Sequence, residues 1–392
     1  MPQMTRPGGL TFTRFRVWQV VVPARADILS APESRGPLYR DSLAWPDMPI
    51  HLVEGETSAG FTAVGECDRG TSRATVEATL RDLLGRNLLA MAPATVWMEG
   101  TSPVGLPMSY PAWSWESAGG RSYLLLESLW YDAVGKAAGL PAHQLLGGAV
   151  RKAVATDFWV NRPGSETLRA LIREAVDRGL RGMKMKSNFQ GDTARALLSL
   201  AGDLPENFRF TIDPMYAWRS LRESARRLEA LARLPCEIQI EDPFPWQVAE
   251  DWRQARSISP LTIICHPRRE EIFRFALQEE LAHAYNLGTG SLVGFLHMAR
   301  VAEFFHKDCW QGSSLELGVL QHLRLHAAAC ARNCVLASDL QSEWVREHTL
   351  VTPRMAYRDG AALVPEEPGL GVALDHDAVA YYARDYFEVT VE

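Results

Sequence analysis

Eight short apolar runs that alternate with longer helical stretches, three of them in succession closing on a titratable residue, predict an α/β fold: a modified (β/α)8 barrel of the TIM type. The first 150 residues have a different texture, with strand-forming runs ahead of helical ones, and predict an N-terminal α+β capping domain. The expected organisation is residues 1–150 for the cap, 151–360 for the barrel, and 361–392 for a terminal segment packing back on the cap.

A chain of 392 residues exceeds one ordinary compact core, which suits a barrel with an added module. Hydrophobic residues make up 47%, charged residues 22%, and 23 prolines are scattered, a composition that excludes a disordered chain. The net charge of −6 opposes attraction to phosphate backbones and anionic lipid, so neither nucleic acid nor a membrane is an expected partner. No apolar run approaches a bilayer's thickness, and Val17 to Val22 is too short for a secretory signal, which reads as a cytoplasmic protein. The six cysteines are dispersed without a CxxC and fit reduced, mostly buried thiols.

In order along the chain, Phe12 to Val22 is rich in β-branched and aromatic residues, and His51–Val53 with Phe61–Gly65 complete a meander. Pro23 to Pro49 holds five prolines and no period, long for a connection and suited to a lid. Thr71–Leu89 and Ser122–Ala138 carry helical spacing, the second stopped by Gly139 and Pro141. Barrel strands are expected near Val154–Phe158, Gly182–Lys186, Arg209–Asp213, Glu237–Glu241, Thr262–His266, His283–Leu287, Asp308–Gly312 and Val335–Asp339. Helices such as Glu166–Arg178, Leu221–Leu234 and Leu317–Ala331 fall between them.

Lys186, Asp213 and Glu241 end consecutive strands at intervals of 27 and 28 residues, which places them around one mouth at the barrel's C-terminal face. Each alone could be a helix cap or a turn residue. Together they point to chemistry. Asp213 and Glu241 are hard oxygen donors on neighbouring strands, the arrangement suited to Mg2+. Lys184 and Lys186 alternate on one strand and face the same way, and two inward ammonium groups are expected to lower each other's proton affinity, so that one serves as a base. Deprotonating carbon beside a carboxylate places a second charge on that carboxylate, and a cation beside it offsets the charge as it forms. No GxGxxG, P-loop, GxSxG or HExxH motif offers another chemistry.

The Lys184-x-Lys186 pair, Asp213-Pro214, Glu241-Asp242-Pro243, the stretch Leu129 to Gly148, and Pro368-Gly369-Leu370-Gly371 resemble the mandelate racemase/muconate lactonizing branch of the enolase superfamily, in order and over nearly the whole chain. Asp213-Pro-Met-Tyr-Ala-Trp218 looks most like its acid-sugar dehydratases. The resemblance implies Asp213 and Glu241 as ligands of a divalent metal, Lys186 as base, Lys184 as partner to the substrate carboxylate or to Lys186, a small carboxylic-acid substrate, and a homo-oligomer. It also implies that the Pro23–Pro49 loop and the loop before Gly60 close over the substrate.

The family's third carboxylate ligand, at the end of the fifth strand, is replaced by Cys265-His266-Pro267. His266 is then a ligand, an acid/base or a structural residue, and as a ligand it favours Mn2+ or another cation over Mg2+. The His–Asp dyad of the family's racemases is missing, with Gly288 and Gly312 at those places, and so is the sixth-strand lysine of its cycloisomerases. The expected activity is therefore a one-base lyase reaction: Lys186 removes the α-proton of a hydroxy or sugar acid and water is eliminated, with His266 assisting. A racemase or epimerase, and a non-catalytic member that has lost part of the metal or base machinery, are the alternatives. Asp339 and Glu343 are reserves near the mouth, and His143, His322 and His326 read as packing or surface residues.

Overall fold

A computed structural model describes residues 9–29, 48–91, 121–188, 191–258, 260–268, 270–288 and 291–390. Most of the expected lid, Pro23–Pro49, lies outside them. Strands β1 (Phe12–Val20), β2 (Ile50–Thr57) and β3 (Thr62–Glu66) form an antiparallel meander, followed by helices α1 (Arg73–Leu83) and α2 (Tyr123–Ala138). Ser72 and Ser122 cap the two helices by accepting from Thr75 N and Leu125 N, and α2 ends on Gly139 at φ 69°. The last strand, Ala383–Thr390, returns to pair antiparallel with β1, so chain start and chain end share one sheet.

After the short strand β4 (Ala153–Ala155), strands and helices alternate: β5 (Phe158–Val160), α3 (Ser165–Asp177), β6 (Gly182–Lys186), α4 (Thr193–Leu198), β7 (Arg209–Asp213), α5 (Leu221–Leu231) and β8 (Glu237–Glu241). Then come α6 (Ala249–Arg256), β9 (Thr262–Cys265), α7 (Glu270–Gln278), β10 (Ala284–Asn286), α8 (Leu292–Phe304), β11 (Asp308–Trp310) and α9 (Gly318–Cys330). Strands β5 to β11 form one parallel sheet in chain order, curved as a barrel wall. Its interior is divided. Arg209–Asp157 and Thr211–Gln239 pairs fill the side under β6 to β8, whereas Ile264, Ala284 and Trp310 pack together under β9 to β11.

Two expected strands differ. The run Val154–Phe158 is split, because β4 pairs antiparallel with Ala361–Leu363 while only Phe158 onward joins the barrel. The break follows from Asp157, which turns to Arg209 at 2.6 Å, and from Thr156, whose hydroxyl donates to Ser338 O and Leu340 O. Val335–Asp339 is an extended seam rather than a laddered strand. It bridges β11 through Cys309–Cys334 and the β5 side through Thr156–Ser338. A hydroxyl interrupts the ladder: Ser338 Oγ accepts from Gln311 N at 3.1 Å, beside the backbone bonds Leu336 N→Cys309 O, Ser338 N→Ala155 O and Asp339 N→Gln311 O.

The cap docks on the barrel through buried carboxylates. Glu66, at the end of β3, accepts from Leu317 N at 2.5 Å and Leu320 N at 3.0 Å, at the start of α9. Glu127 on α2 accepts from Ser291 Oγ, Leu292 N and Val293 N at the start of α8. Both satisfy N–H groups that a helix leaves open, although burial pushes the Glu66 carboxyl up to about 8 and raises that of Glu127. Asp132 accepts from Val64 N and Leu370 N. Gly369, at φ 74°, has no room for a side chain, since a Cβ there would stand 2.2 Å from Asp132 Oδ1.

Behind these contacts His143 and His326 stack with facing Nδ1 atoms 3.2 Å apart. Burial pushes the His326 imidazole down to about 3 and His322 to about 4. A depressed histidine contributes stability that is complete above the unfolded value of 6.5 and declines as pH falls, because only the unfolded chain takes up the proton. At pH 5 each histidine should cost about 2 kcal/mol relative to pH 7. Melting midpoints between pH 7 and 5 should fall, and His326→Gln should flatten that slope; an unchanged slope would exclude this histidine as the source.

Candidate active site

The register of the barrel sheet sets the site. Lys186 pairs with Asp213 across β6 and β7, and Ile212 with Ile240 across β7 and β8, so Asp213 and Glu241 end adjacent strands side by side. Glu241 pairs with Ile264 in β9, which puts His266 on the same inward face two residues further out. The strand ends open into a chamber of about 290 Å³ lined by residues including Lys184, Lys186, Glu241, His266, Asn286 and Asp339.

Each ammonium has its own carboxylates. Lys184 is buried, with Nζ 2.9 Å from Glu241 Oε2, 3.0 Å from Asp339 Oδ2 and 5.2 Å from the Trp310 ring. Burial alone would lower its proton affinity, but Asp339 and Glu241 outweigh burial and raise it. This corrects the expectation that the two lysines depress one another: Lys184 is a fixed cation. Lys186 stands nearer solvent, its side chain 21% exposed, and pairs with Asp213 Oδ2. Asp213 Oδ1 accepts from Met215 N at 2.8 Å, inside a turn where Met215 and Tyr216 both take positive φ.

Glu241 is enclosed by donors. Asn286 Nδ2 gives to Oε1 at 2.8 Å, and His266 Nδ1 lies 3.4 Å from the same oxygen. Burial works against its charge, yet Lys184, His266 and Lys186 hold its carboxyl well below the usual range. The His266 imidazole is pushed down by burial, with Glu241 opposing the shift. Its Nε2 lies 3.4 Å from Gly288 O, and its backbone N–H donates to Asp242 Oδ1.

Asn286, which the sequence reading passed over, explains the two glycines. Its Oδ1 accepts from Gly288 N at 2.9 Å, and a Cβ on Gly312 would stand 2.2 Å from that oxygen. A Cβ on Gly288 would stand 2.9 Å from Gly312 Cα. The space a dyad would use at the ends of β10 and β11 is thus filled by an amide and backbone. Asn286 closes its strand as Lys186, Asp213 and Glu241 close theirs, and that ordinal position was the available signal.

Of the reserves, Asp339 reaches the chamber and Glu343 does not: its Oε1 accepts from Met355 N. His322 gives its Nδ1 to a contact with Gly318 O inside α9, and His143 and His326 pack behind the cap. The turn at 58–60 contributes no lining residue, whereas the cap sends in Arg69 from the loop after β3.

The donor chemistry fits a divalent cation at two strand ends. Asp213 and Glu241 offer neighbouring carboxylates, and Glu241 Oε2 is buried without a well-directed hydrogen bond despite the ammonium nearby. The third strand end offers an imidazole. Among the described residues no three Asp, Glu, His or Cys side chains converge on one point, since Lys184 and Lys186 stand against the carboxylate oxygens.

Comparison with known proteins agrees with this architecture. Residues 167–378 match the family described as "Enolase C-terminal domain-like". A chloromuconate cycloisomerase of Cupriavidus pinatubonensis is 29% identical over 272 residues, 66% of this chain and 71% of that one. A probable glucarate dehydratase of Streptomyces coelicolor is 30% identical over 285 residues, 66% of this chain and 64% of that one. The solved 2-chloromuconate cycloisomerase from Rhodococcus opacus superposes with a TM-score of 0.75 at 20% identity, covering 96% of this chain and 99% of the other. A parallel barrel under an antiparallel cap, with a Lys-x-Lys strand beside two carboxylate-ended strands, is in this chain the architecture of a member of the enolase superfamily, in its mandelate racemase/muconate lactonizing branch.

Proposed function

We propose that this protein removes the proton alpha to the carboxylate of a small hydroxy or sugar acid and eliminates water, with Lys186 as the base. The observation that carries the reading is the division of labour between two lysines on one strand face: Lys184 is locked between Glu241 and Asp339, while Lys186 is the partly exposed one. Lys184 supplies fixed positive charge for the substrate carboxylate, and Lys186 accepts the proton once it leaves Asp213. With His266 reserved for the cation, Lys186 holds the abstracted proton as its ammonium and returns it to the departing hydroxyl, which leaves as water. Asp213 and Glu241 would hold a divalent cation, Mg2+ or Mn2+, with His266 as the third donor. Such an ion would supply positive charge beside the substrate carboxylate.

Elimination is favoured over racemisation because Asn286, Gly288 and Gly312 offer no proton carrier at the ends of β10 and β11. The similarity to a glucarate dehydratase supports the same choice. Calorimetric titration of chelator-stripped protein with Mg2+, Mn2+ and Zn2+ tests the metal. One ion per chain is expected, lost in Asp213→Asn and weakened in His266→Ala. Failure of every cation to bind would sink metal-assisted abstraction and favour a member without catalysis, a reading motivated by the imidazole at the third strand end.

A further inference from the structure

Five cationic side chains line the chamber, Lys184, Lys186, Arg69, Arg162 and Arg268, against two carboxylates, Glu241 and Asp339. The lysines are paired with carboxylates as described. Arg69 donates to Ser314 O and has the Asp68 charge beside it. Arg162 donates to Asn161 and Asn188.

Arg268 differs. It follows β9 by three residues, and its Nε is buried without a hydrogen-bond partner among the described residues. Its guanidinium stands 6.0 Å from the centre of the Tyr216 ring, a contact that orients the planar group. Asp242 supplies opposing charge, but its buried Oδ2 likewise takes no hydrogen bond. Arg268 lines the chamber while its charge is answered from a distance, with no direct ion pair among the described residues, which leaves a demand for a charged acceptor. A substrate carrying one carboxylate, engaged at the lysines, leaves that demand unanswered.

We infer that Arg268 is a specificity-determining residue that receives a second anionic group, a carboxylate or a phosphate, so that the acid bound in the chamber carries two anionic ends. The inference rests on the proton-abstraction reading, which places the first carboxylate at the lysines. The guanidinium's fixed fork matches either anion through paired N–H donors, which an ammonium does not reproduce.

Three acids that share a 2-hydroxycarboxylate end test it by calorimetric titration in the presence of Mg2+: glycerate, tartrate and 3-phosphoglycerate. Tartrate or 3-phosphoglycerate should bind at least about tenfold more tightly than glycerate, the size of a charge-assisted contact. Whichever is preferred identifies carboxylate or phosphate as the second group. Arg268→Gln should bring the ratio to within about twofold, and Arg268→Lys should restore part of it. Lys186→Ala should weaken all three while preserving the ratio. Equal affinities, no binding of either dianion, or a preference that survives in Arg268→Gln would overturn the assignment. Failure of the proton-abstraction reading shows instead as absent exchange of the α-hydrogen with solvent, whatever the ratio.

Discussion

Lys186→Ala is expected to slow exchange of a bound acid's α-hydrogen with D2O by roughly 10²–10⁴-fold, the range for removing a positioned general base. Proton NMR of tartrate or glucarate in D2O reads the loss. The alanine variant leaves Asp213 with its Met215 N bond and should keep its fold, since Lys186 is the less buried lysine. A small primary amine added to the variant should restore part of the exchange. Lys184→Met would behave differently: it strands Glu241 and Asp339 in a buried site without their shared cation, so lost stability would accompany lost exchange. Exchange that survives intact in Lys186→Ala would move the base elsewhere, with His266 the next group to test.

Arg324→Met should destabilise the fold by about 3–5 kcal/mol, the cost of leaving one member of a buried ion pair alone. Arg324 and Glu316 are paired with both side chains fully buried. Glu316 also accepts from Ser314 N, and the Ser314 hydroxyl donates to Asp68 of the cap. Removing the guanidinium therefore leaves a buried carboxylate close to the Asp68 carboxyl. Against a typical stability of about 5–15 kcal/mol, the loss is a large fraction of the total. Chemical denaturation measures it. Replacing Glu316 and Arg324 together by leucine should recover most of the loss, because no lone charge remains. A cost below about 1 kcal/mol for Arg324→Met would mean that Glu316 is neutralised by other means.

The barrel was legible because its strands carry strong local signals. β6, β7 and β8 run where the sequence places them, each apolar on one face, bounded by turn residues and closed by a charge. The seam at Val335–Asp339 was read as a strand because pattern alone does not reveal that Ser338 and Thr156 hydroxyls interrupt the ladder. Lys184, Lys186, Glu241 and His266 come to one chamber because strand ends do so in any closed barrel. Asn286 shared their strand-end position but carried no titratable group, and Arg268, three residues past its strand, carried no such signal. Their importance depends on which oxygen faces the amide and which acceptor the guanidinium lacks, both products of tertiary approach.

The pairing of β1 with Ala383–Thr390 also sets when the protein can finish folding. Arg14 bonds Glu388 across 374 residues of sequence, so during synthesis the first strand leaves the ribosome long before its neighbour exists. Until then β1 is an open edge able to template unwanted strand addition. Glu66 and Glu127 meanwhile carry carboxyl groups whose partners at α8 and α9 have yet to be made. Completion of the cap therefore waits for the barrel to be made, and chains truncated before Ala383 should leave β1 as an open edge.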